Sequence, residues 1–285
     1  MKFGALLKAG LICIFATAAQ AQSDISEVFE QGASSSFRPS SSSGFSWHRL
    51  RISYFGDMAM QPSKKDSAEW FHEPGISYRL SSFNLRFKVP VTQYFYRTRY
   101  RSSLFEFGDP TFGISKSNLI RTRDFSLYGS LNFTPATTEY SLTRKQRRGT
   151  VGVTLIPSLY LARHLKLDWY SSFKHYIYEP DENLNYYNRR DLNRGRMSQF
   201  KAEFRPSLSY RLTYRLQAMV GGHLVFYQNR GRNMNEWART QNALHFGANY
   251  EFARSFSIRP EIRLFDPVKW DMNRLEAGVL LFASL

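Results

Sequence analysis

From Trp47 onward, apolar and polar residues alternate with a period of two, segment after segment. The stretch FSIRPEIRLF, Phe256 to Phe265, shows the pattern: Phe256, Ile258, Pro260, Ile262 and Leu264 share one face, and Ser257, Arg259, Glu261 and Arg263 share the other. A period of two is that of a β-strand, whose successive side chains point to opposite faces. About twelve such segments can be counted on this template, with cores at 50–54, 76–80, 83–91, 110–114, 125–133, 151–159, 165–173, 200–210, 216–226, 244–250, 256–264 and 275–285. A soluble sandwich would turn the charged face to bulk water, whereas a closed barrel in a membrane would turn it into an enclosed lumen. Many of the segments reach the roughly 9 to 11 residues that a tilted membrane-spanning strand needs, which favours the barrel.

The connections sharpen this expectation. After even-numbered segments they are short, SS, NLIRTRD, RH, LTYR and ARS, and after odd-numbered ones they are long, up to EPDENLNYYNRRDLNRGRM. Alternating tight turns and long loops is the signature of an up-and-down antiparallel barrel, with turns on the periplasmic side, loops outside and both termini in the periplasm. Pro110, Pro157, Pro206 and Pro260 fall within segments, and each is expected at a bulge or a strand end, since proline cannot donate to a ladder.

Composition adds a compartment. The N-terminus carries Lys2 and Lys8, an apolar run AGLICIFATAA and an Ala-x-Ala site at Ala19 and Ala21, which together read as a signal peptide over residues 1–21. Residues 22–46 are serine-rich and read as a flexible periplasmic leader, with entry into the lumen as the alternative. The barrel is expected over 47–285. The only cysteine, Cys13, falls within the signal, so thiol and disulfide chemistry are excluded from the remainder. A net charge of +16 would suggest nucleic acid in a cytosolic protein. Export redirects that reading to lipopolysaccharide phosphates, acidic glycans or anionic solutes, with no nucleic acid partner. Aromatic residues make up 16% of the chain, with 24 Phe and 17 Tyr, and those near strand ends (Trp47, Tyr54, Tyr78, Trp169, Tyr210, Trp237 and Trp270) suit interfacial girdles.

With its signal peptide, absence of later cysteine, even strand number, aromatic-flanked segments and final strand RLEAGVLLFASL, the chain resembles the Gram-negative outer-membrane β-barrel proteins. The stretch FGDPTFGIS, Phe107 to Ser115, is similar to the Gly-Asp-Pro strand opening of porins of the phenol meta-pathway type. The resemblance implies an outer-membrane location, contact with lipopolysaccharide and the barrel-insertion machinery, and a porin-like activity without cofactors. The insertion machinery reads a terminal aromatic residue in such barrels, whereas this chain ends in Leu285 with Phe282 three positions earlier.

If the apolar face meets lipid, the lumen holds the alternates. These are Arg49, Arg51, Arg79, Arg86 and Lys88 on the first three strands, Lys166, Lys174, Lys201 and Arg205 on the seventh and eighth, and Arg259, Arg263 and Arg274 on the last two. The acids are Asp109, Asp168, Glu203, Glu261 and Glu276. Twelve cations against five acids leaves +7, arranged as two opposed basic tracks, which suggests passive diffusion of small, preferentially anionic solutes. The alternative is a closed structural barrel in which cross-strand ion pairs fill the interior and arginine-rich loops contact lipopolysaccharide. Those loops carry Arg97, Arg99 and Arg101; Arg144, Lys145, Arg147 and Arg148; Arg189, Arg190, Arg194 and Arg196; and Arg230 and Arg232. A lipid-acting hydrolase is the third possibility. Ser171 and His175 share an outward face, but residues i and i+4 on a strand lie about 13 Å apart, beyond hydrogen-bond reach. There is no Gly-x-Ser-x-Gly elbow and no metal-ligand spacing among the six histidines, so no catalytic residue is assigned.

Overall fold

The computed structural model describes residues 47–61, 67–96, 104–232, 237–253, 255–267 and 274–284. The expected signal peptide and leader therefore lie outside the described residues, as do Arg97, Arg99, Arg101, Trp270 and Leu285.

Among the described residues there are fourteen strand segments: β1 (Leu50–Met60), β2 (Glu69–Arg79), β3 (Asn84–Lys88), β4 (Val91–Tyr94), β5 (Phe105–Phe107), β6 (Thr111–Arg121), β7 (Phe125–Pro135), β8 (Arg147–Ala162), β9 (Leu165–Tyr178), β10 (Ser198–Arg211), β11 (Leu216–Asn229), β12 (Trp237–Ala253), β13 (Phe256–Phe265) and β14 (Leu275–Ser284). Every pairing is antiparallel, and the ring closes because β1 bonds to β14 on one side and β2 on the other. Segments β3 and β4 both pair with β2 and are one stave broken at Val89–Pro90; β5 and β6 are another, broken at Gly108–Pro110. Fourteen segments thus make twelve staves, the architecture expected from the alternation. Among the described residues no helix is long and apolar enough to cross a membrane.

The two breaks sit side by side. Proline has no N–H to donate, and Pro90 and Pro110 interrupt adjacent staves at one height. Gly108 N donates to Pro90 O across the gap at 2.8 Å, and a Cβ on Gly108 would stand 2.7 Å from Pro90 Cγ, so only glycine permits this approach. Pro157, Pro206 and Pro260 differ from expectation: they lie inside β8, β10 and β13 with no bulge at any of them. Each instead leaves a gap in one ladder, which resumes in unchanged register: from Leu155↔Ser171 to Ser158↔Asp168, from Phe204↔Leu224 to Ser207↔Gly221, and from Gly247↔Glu261 to Tyr250↔Ile258. Losing one local rung is tolerated because the ladder on the other side continues.

Burial settles which face is which. Leu131 is 51% exposed and its neighbour Ser130 7%, and the same contrast recurs around the ring, with Ile52, Ile76, Phe112, Phe133, Phe246 and Ile262 exposed and Asp57, Lys88, Thr154, Glu203 and Arg263 buried. Apolar-out and polar-in is the inverse of a soluble fold and suits a hydrocarbon surround. The inner wall is not uniformly polar, however. Phe55, Phe71, Leu280 and Phe282 form a buried apolar cluster beside the closing seam, with the Phe55 and Phe282 rings 5.3 Å apart. A second cluster joins Tyr128, Ile156 and Tyr170.

The strands also outrun their alternating cores. β1 continues to Met60, β2 begins at Glu69, and β6 runs to Arg121, which shrinks the expected NLIRTRD connection to a turn at Thr122–Asp124 closed by Thr122 N donating to Phe125 O at 2.8 Å. Strand ends in polar sequence lose the alternation that marks them, because outside the apolar band both faces are wet.

Close packing of the wall gives a direct stability test. A Cβ at Gly221 would collide with His245 Nε2 and stand 2.5 Å from Pro206 O, a backbone atom with little room to move. Gly221→Ala is expected to destabilise the detergent-folded barrel by about 1–3 kcal/mol, measured as an earlier urea midpoint in the heat-modifiable gel-shift assay.

Candidate functional site

The inner wall is the site that the fold constructs. β13 sends Arg259, Glu261 and Arg263 inward at successive alternate positions, which places two guanidinium groups around one carboxylate. Arg263 then collects three acids from three staves: Nη1 donates to Glu276 Oε1 at 2.9 Å, Nη2 to Asp57 Oδ2 at 2.9 Å, and Nε to Glu261 Oε1. Arg259 Nε lies 3.2 Å from Glu261 Oε2, and its guanidinium stands 5.7 Å from the centre of the Phe282 ring. This knot bridges the seam between the first and last staves.

A second knot lies on β10. Lys201, Glu203 and Arg205 face inward together; Lys201 Nζ is 2.6 Å from Glu203 Oε2, and Arg205 Nη2 and His223 Nε2, the latter at 3.0 Å, both reach Oε1. Tyr170 lies beneath the Arg205 guanidinium at 5.6 Å and Tyr227 near the Lys201 ammonium at 6.0 Å, so the cations rest on aromatic faces. Smaller contacts continue around the wall. Lys88 Nζ donates to Glu73 Oε1 at 3.0 Å, Lys166 Nζ stands 2.8 Å from Asp168 Oδ1, which also accepts from Ser158 Oγ, and Arg86 Nη2 donates to Asn132 Oδ1 at 3.2 Å. Lys174 shares the inner face of β9 with Lys166, Asp168 and Tyr170.

Three of the expected lumen residues sit elsewhere. Arg49 belongs to a single 3-10 turn, Trp47–Arg49, before β1. Arg274 lies at the β13–β14 connection, where Nη1 donates to Asp266 Oδ2 at 2.6 Å. Asp109 lies in the β5–β6 break and serves the β7–β8 loop. In exchange the inner wall gains Asp57, Glu69 and Glu73, all buried, which lie beyond the alternating cores of the first two staves. Among the described residues these changes alone remove two cations from the expected set and add two acids net, so the expected surplus of +7 shrinks. The same period of two would have found Asp57 and Glu73 had the strands been extended by two more alternations, and Glu69 after two further ones.

Arg51 and Arg79 have no ion-pair partner among the described residues. They line a cavity of ≈ 210 Å³ at the short-turn end, with Ser77, the β2–β3 turn at Ser81 and Ser82, Lys116 and Ser284, and none of the described lining residues is acidic.

At the opposite end the long loops are bound to one another. Gln146, at φ 45°, is a hub: its Oε1 accepts from Asn185 N at 2.9 Å and Asn188 Nδ2 at 2.6 Å, and its Nε2 donates to Asn183 O at 3.3 Å. Asn185 caps the helix α1 (Tyr186–Asn193) by accepting from Asn188 N at 3.0 Å. Arg148 makes a bidentate contact with Glu179 at 2.8 and 2.7 Å, and Arg230 reaches Asp181 and, at 3.1 Å, Glu179 O. Asp109 accepts from Thr137 N at 2.7 Å, Thr138 N at 2.8 Å and Ser141 Oγ. Partial burial alone would raise the Asp109 pKa, but these donors outweigh it and hold the carboxyl below its ordinary range.

On the outer face Ser171 and His175 stay apart, and the His175 ring stacks on Phe200 at 4.6 Å. A polar chain that the sequence reading missed runs across three staves there: Tyr54 Oη lies 2.7 Å from His72 Nδ1, and His72 Nε2 lies 3.3 Å from Gln93 Oε1. Among the described residues no group of three His, Cys, Asp or Glu side chains is placed to hold a metal.

Two consequences can be measured. Arg263→Met would leave three buried carboxylates without their shared cation, so a loss of about 3–5 kcal/mol is expected, against a smaller loss for Glu276→Gln, both read as urea midpoints. At Asp109 the native pKa is depressed, so its contribution is present above the ordinary aspartate range, near 4, and disappears as pH falls through the native value. Asp109→Ala should therefore speed proteolysis in the 136–146 loop at pH 7 by roughly tenfold, a loss on the order of one hydrogen-bonded carboxylate, and the difference from the parent should vanish in strong acid.

No family model matches this chain, and no curated protein matches it. Among solved structures, the chain is similar to one titled "KdgM porin", at 10% identity and a TM-score of 0.46 over 82% of this chain and 99% of that one. It is also similar to "Salmonella typhi OmpF complex with Daunomycin", at 7% identity and a TM-score of 0.41 over 83% and 97%. Likenesses this loose carry no argument about activity.

Proposed function

We propose that the protein is a porin-like barrel of the Gram-negative outer membrane, providing a narrow passage for small, preferentially anionic solutes. What supports this reading is a closed ring with an apolar outside and a cavity at one mouth whose described lining residues include Arg51, Arg79 and Lys116 and no acid. In this orientation the short turns and both termini are periplasmic and the linked long loops face outward. Solute selection then depends on net wall charge, because a cation already bound to a carboxylate presents little field to a passing ion. Lys201, Arg205, Arg259 and Arg263 are neutralised in this way, whereas Arg51 and Arg79 are not. At the outer rim Arg144, Arg190 and Arg194 suit lipopolysaccharide phosphates.

A second reading, a closed structural barrel, is favoured by the two buried ion-pair knots and by the apolar cluster of Phe55, Phe71, Leu280 and Phe282 on the inner wall. Planar-bilayer recording separates them. The passage predicts discrete channels and a reversal potential of anion sign in a KCl gradient, moved toward zero, by roughly half, in Arg51→Ala/Arg79→Ala as two uncompensated charges leave the mouth. Silent membranes containing folded protein support the closed barrel; cation preference rejects the basic path.

A further inference from the structure

The cavity at the short-turn end gathers cations from three staves. In the β1–β2 ladder Arg51 stands opposite Ser77, and Arg79 lies two residues further along the same face, so the two arginines are diagonal neighbours. Long side chains in that relation reach one another, and like charges so placed repel. Lys116 of β6 completes the set, its ammonium 5.5 Å from the centre of the Phe83 ring. None of the described lining residues is an acid, and Ser77, Ser81, Ser82, Asn84 and Ser284 bring hydroxyl and amide groups. In the two knots, by contrast, the wall supplies its own carboxylates, Glu203 to Arg205 and Asp57 to Arg263. Cations gathered without an acid favour an anion from outside the chain.

Charge and size narrow the anion. A phosphate monoester carries close to two negative charges at neutral pH and three acceptor oxygens, which three cations match better than they match a single carboxylate. Guanidinium groups also grip phosphate through paired N–H donors. At about 30 Å³ per water, a volume of ≈ 210 Å³ equals about seven waters, room for a phosphate on a short hydroxylated body and not for a long chain. We propose that this cavity is a binding site for small soluble phosphate monoesters, with Arg51, Arg79 and Lys116 on the phosphate and the serine and asparagine side chains on the body. The proposal deepens the anion passage and rests on that reading for the ligand's route, making the mouth a saturable site.

Equilibrium dialysis of the detergent-folded protein against labelled glycerol 3-phosphate tests it. Saturation at one ligand per chain is expected, with Arg51→Ala and Arg79→Ala each weakening binding by roughly tenfold as one charge-assisted contact is lost, and heat-modifiability confirming that each variant is folded. Arg211→Ala removes a cation at the short-turn end of β10, outside the cavity, and should leave affinity unchanged; an equal loss there would reduce the effect to net charge and overturn the site. Glycerate should bind several-fold more weakly, and equal affinity overturns the phosphate class. The second pKa of a phosphate monoester is about 6, and no histidine or acid is among the described lining residues, so affinity should fall several-fold from pH 8 to pH 5. A short-chain phosphatidylglycerol, a diester with one charge and no such titration, should compete poorly. Tight, pH-independent binding of it would assign the cavity to lipid headgroups and overturn the proposal. No readout uses conductance: saturable binding in a silent barrel rejects the passage and keeps the site, whereas anion currents without saturable binding reject the site and keep the passage.

Discussion

Ring closure is the constraint from which the rest of the structure follows. In a hydrocarbon surround an unpaired backbone N–H or C=O costs several kcal/mol, so a sheet with free edges is not viable and the first strand must find the last. Here β1 bonds to both β2 and β14 over most of its length. Closure then sorts every side chain into one of two environments, and the period of two leaves no third choice. The prolines show how firm the ring is: Pro157, Pro206 and Pro260 each remove a rung without moving the register.

Charge placement follows from the same constraint. Many side chains that alternate with the exposed leucines and phenylalanines are polar, and once enclosed those need partners. The wall answers with knots, in which one carboxylate serves several cations, as Glu203 does, or one guanidinium serves several carboxylates, as Arg263 does. Because the Arg263 knot joins β1, β13 and β14, it also ties the closing seam. Buried ion pairs of this sort contribute less to stability than their number suggests, since desolvation offsets much of the attraction, but breaking one leaves a stranded charge. Under the proposed function, Lys201, Arg205, Arg259 and Arg263 are spent on structure, and Arg51 and Arg79 are left to meet a solute.

The fold was largely legible in the sequence because its main determinant is a simple period. All twelve staves and the alternation of short and long connections could be read from segments such as Phe256–Phe265 and Phe125–Phe133. What escaped has physical reasons. Asp57, Glu69 and Glu73 lie where β1 and β2 leave the apolar band, so their outward neighbours, Gly56, Met58, Trp70 and His72, no longer mark an obvious face. Phe55 and Phe282 were inward alternates, but their apolar character hid their side. The hydrogen-bonded chain of Tyr54, His72 and Gln93 depends on cross-strand proximity, which no single strand displays. Asp109 sits in a proline-broken stave and finds its partners in a loop 28 and more residues away.

The central claim is that the exposed apolar side chains touch lipid while their alternates face an enclosed polar interior. Adjacent positions on β7 test it most directly: an environment-sensitive fluorophore on Leu131→Cys or on Asn132→Cys, in vesicles containing nitroxide-labelled lipid. Strong quenching at 131 and little at 132 is the expected result. Equal quenching at both positions, or stronger quenching at 132, would contradict the assignment of faces and with it the barrel's orientation toward the membrane.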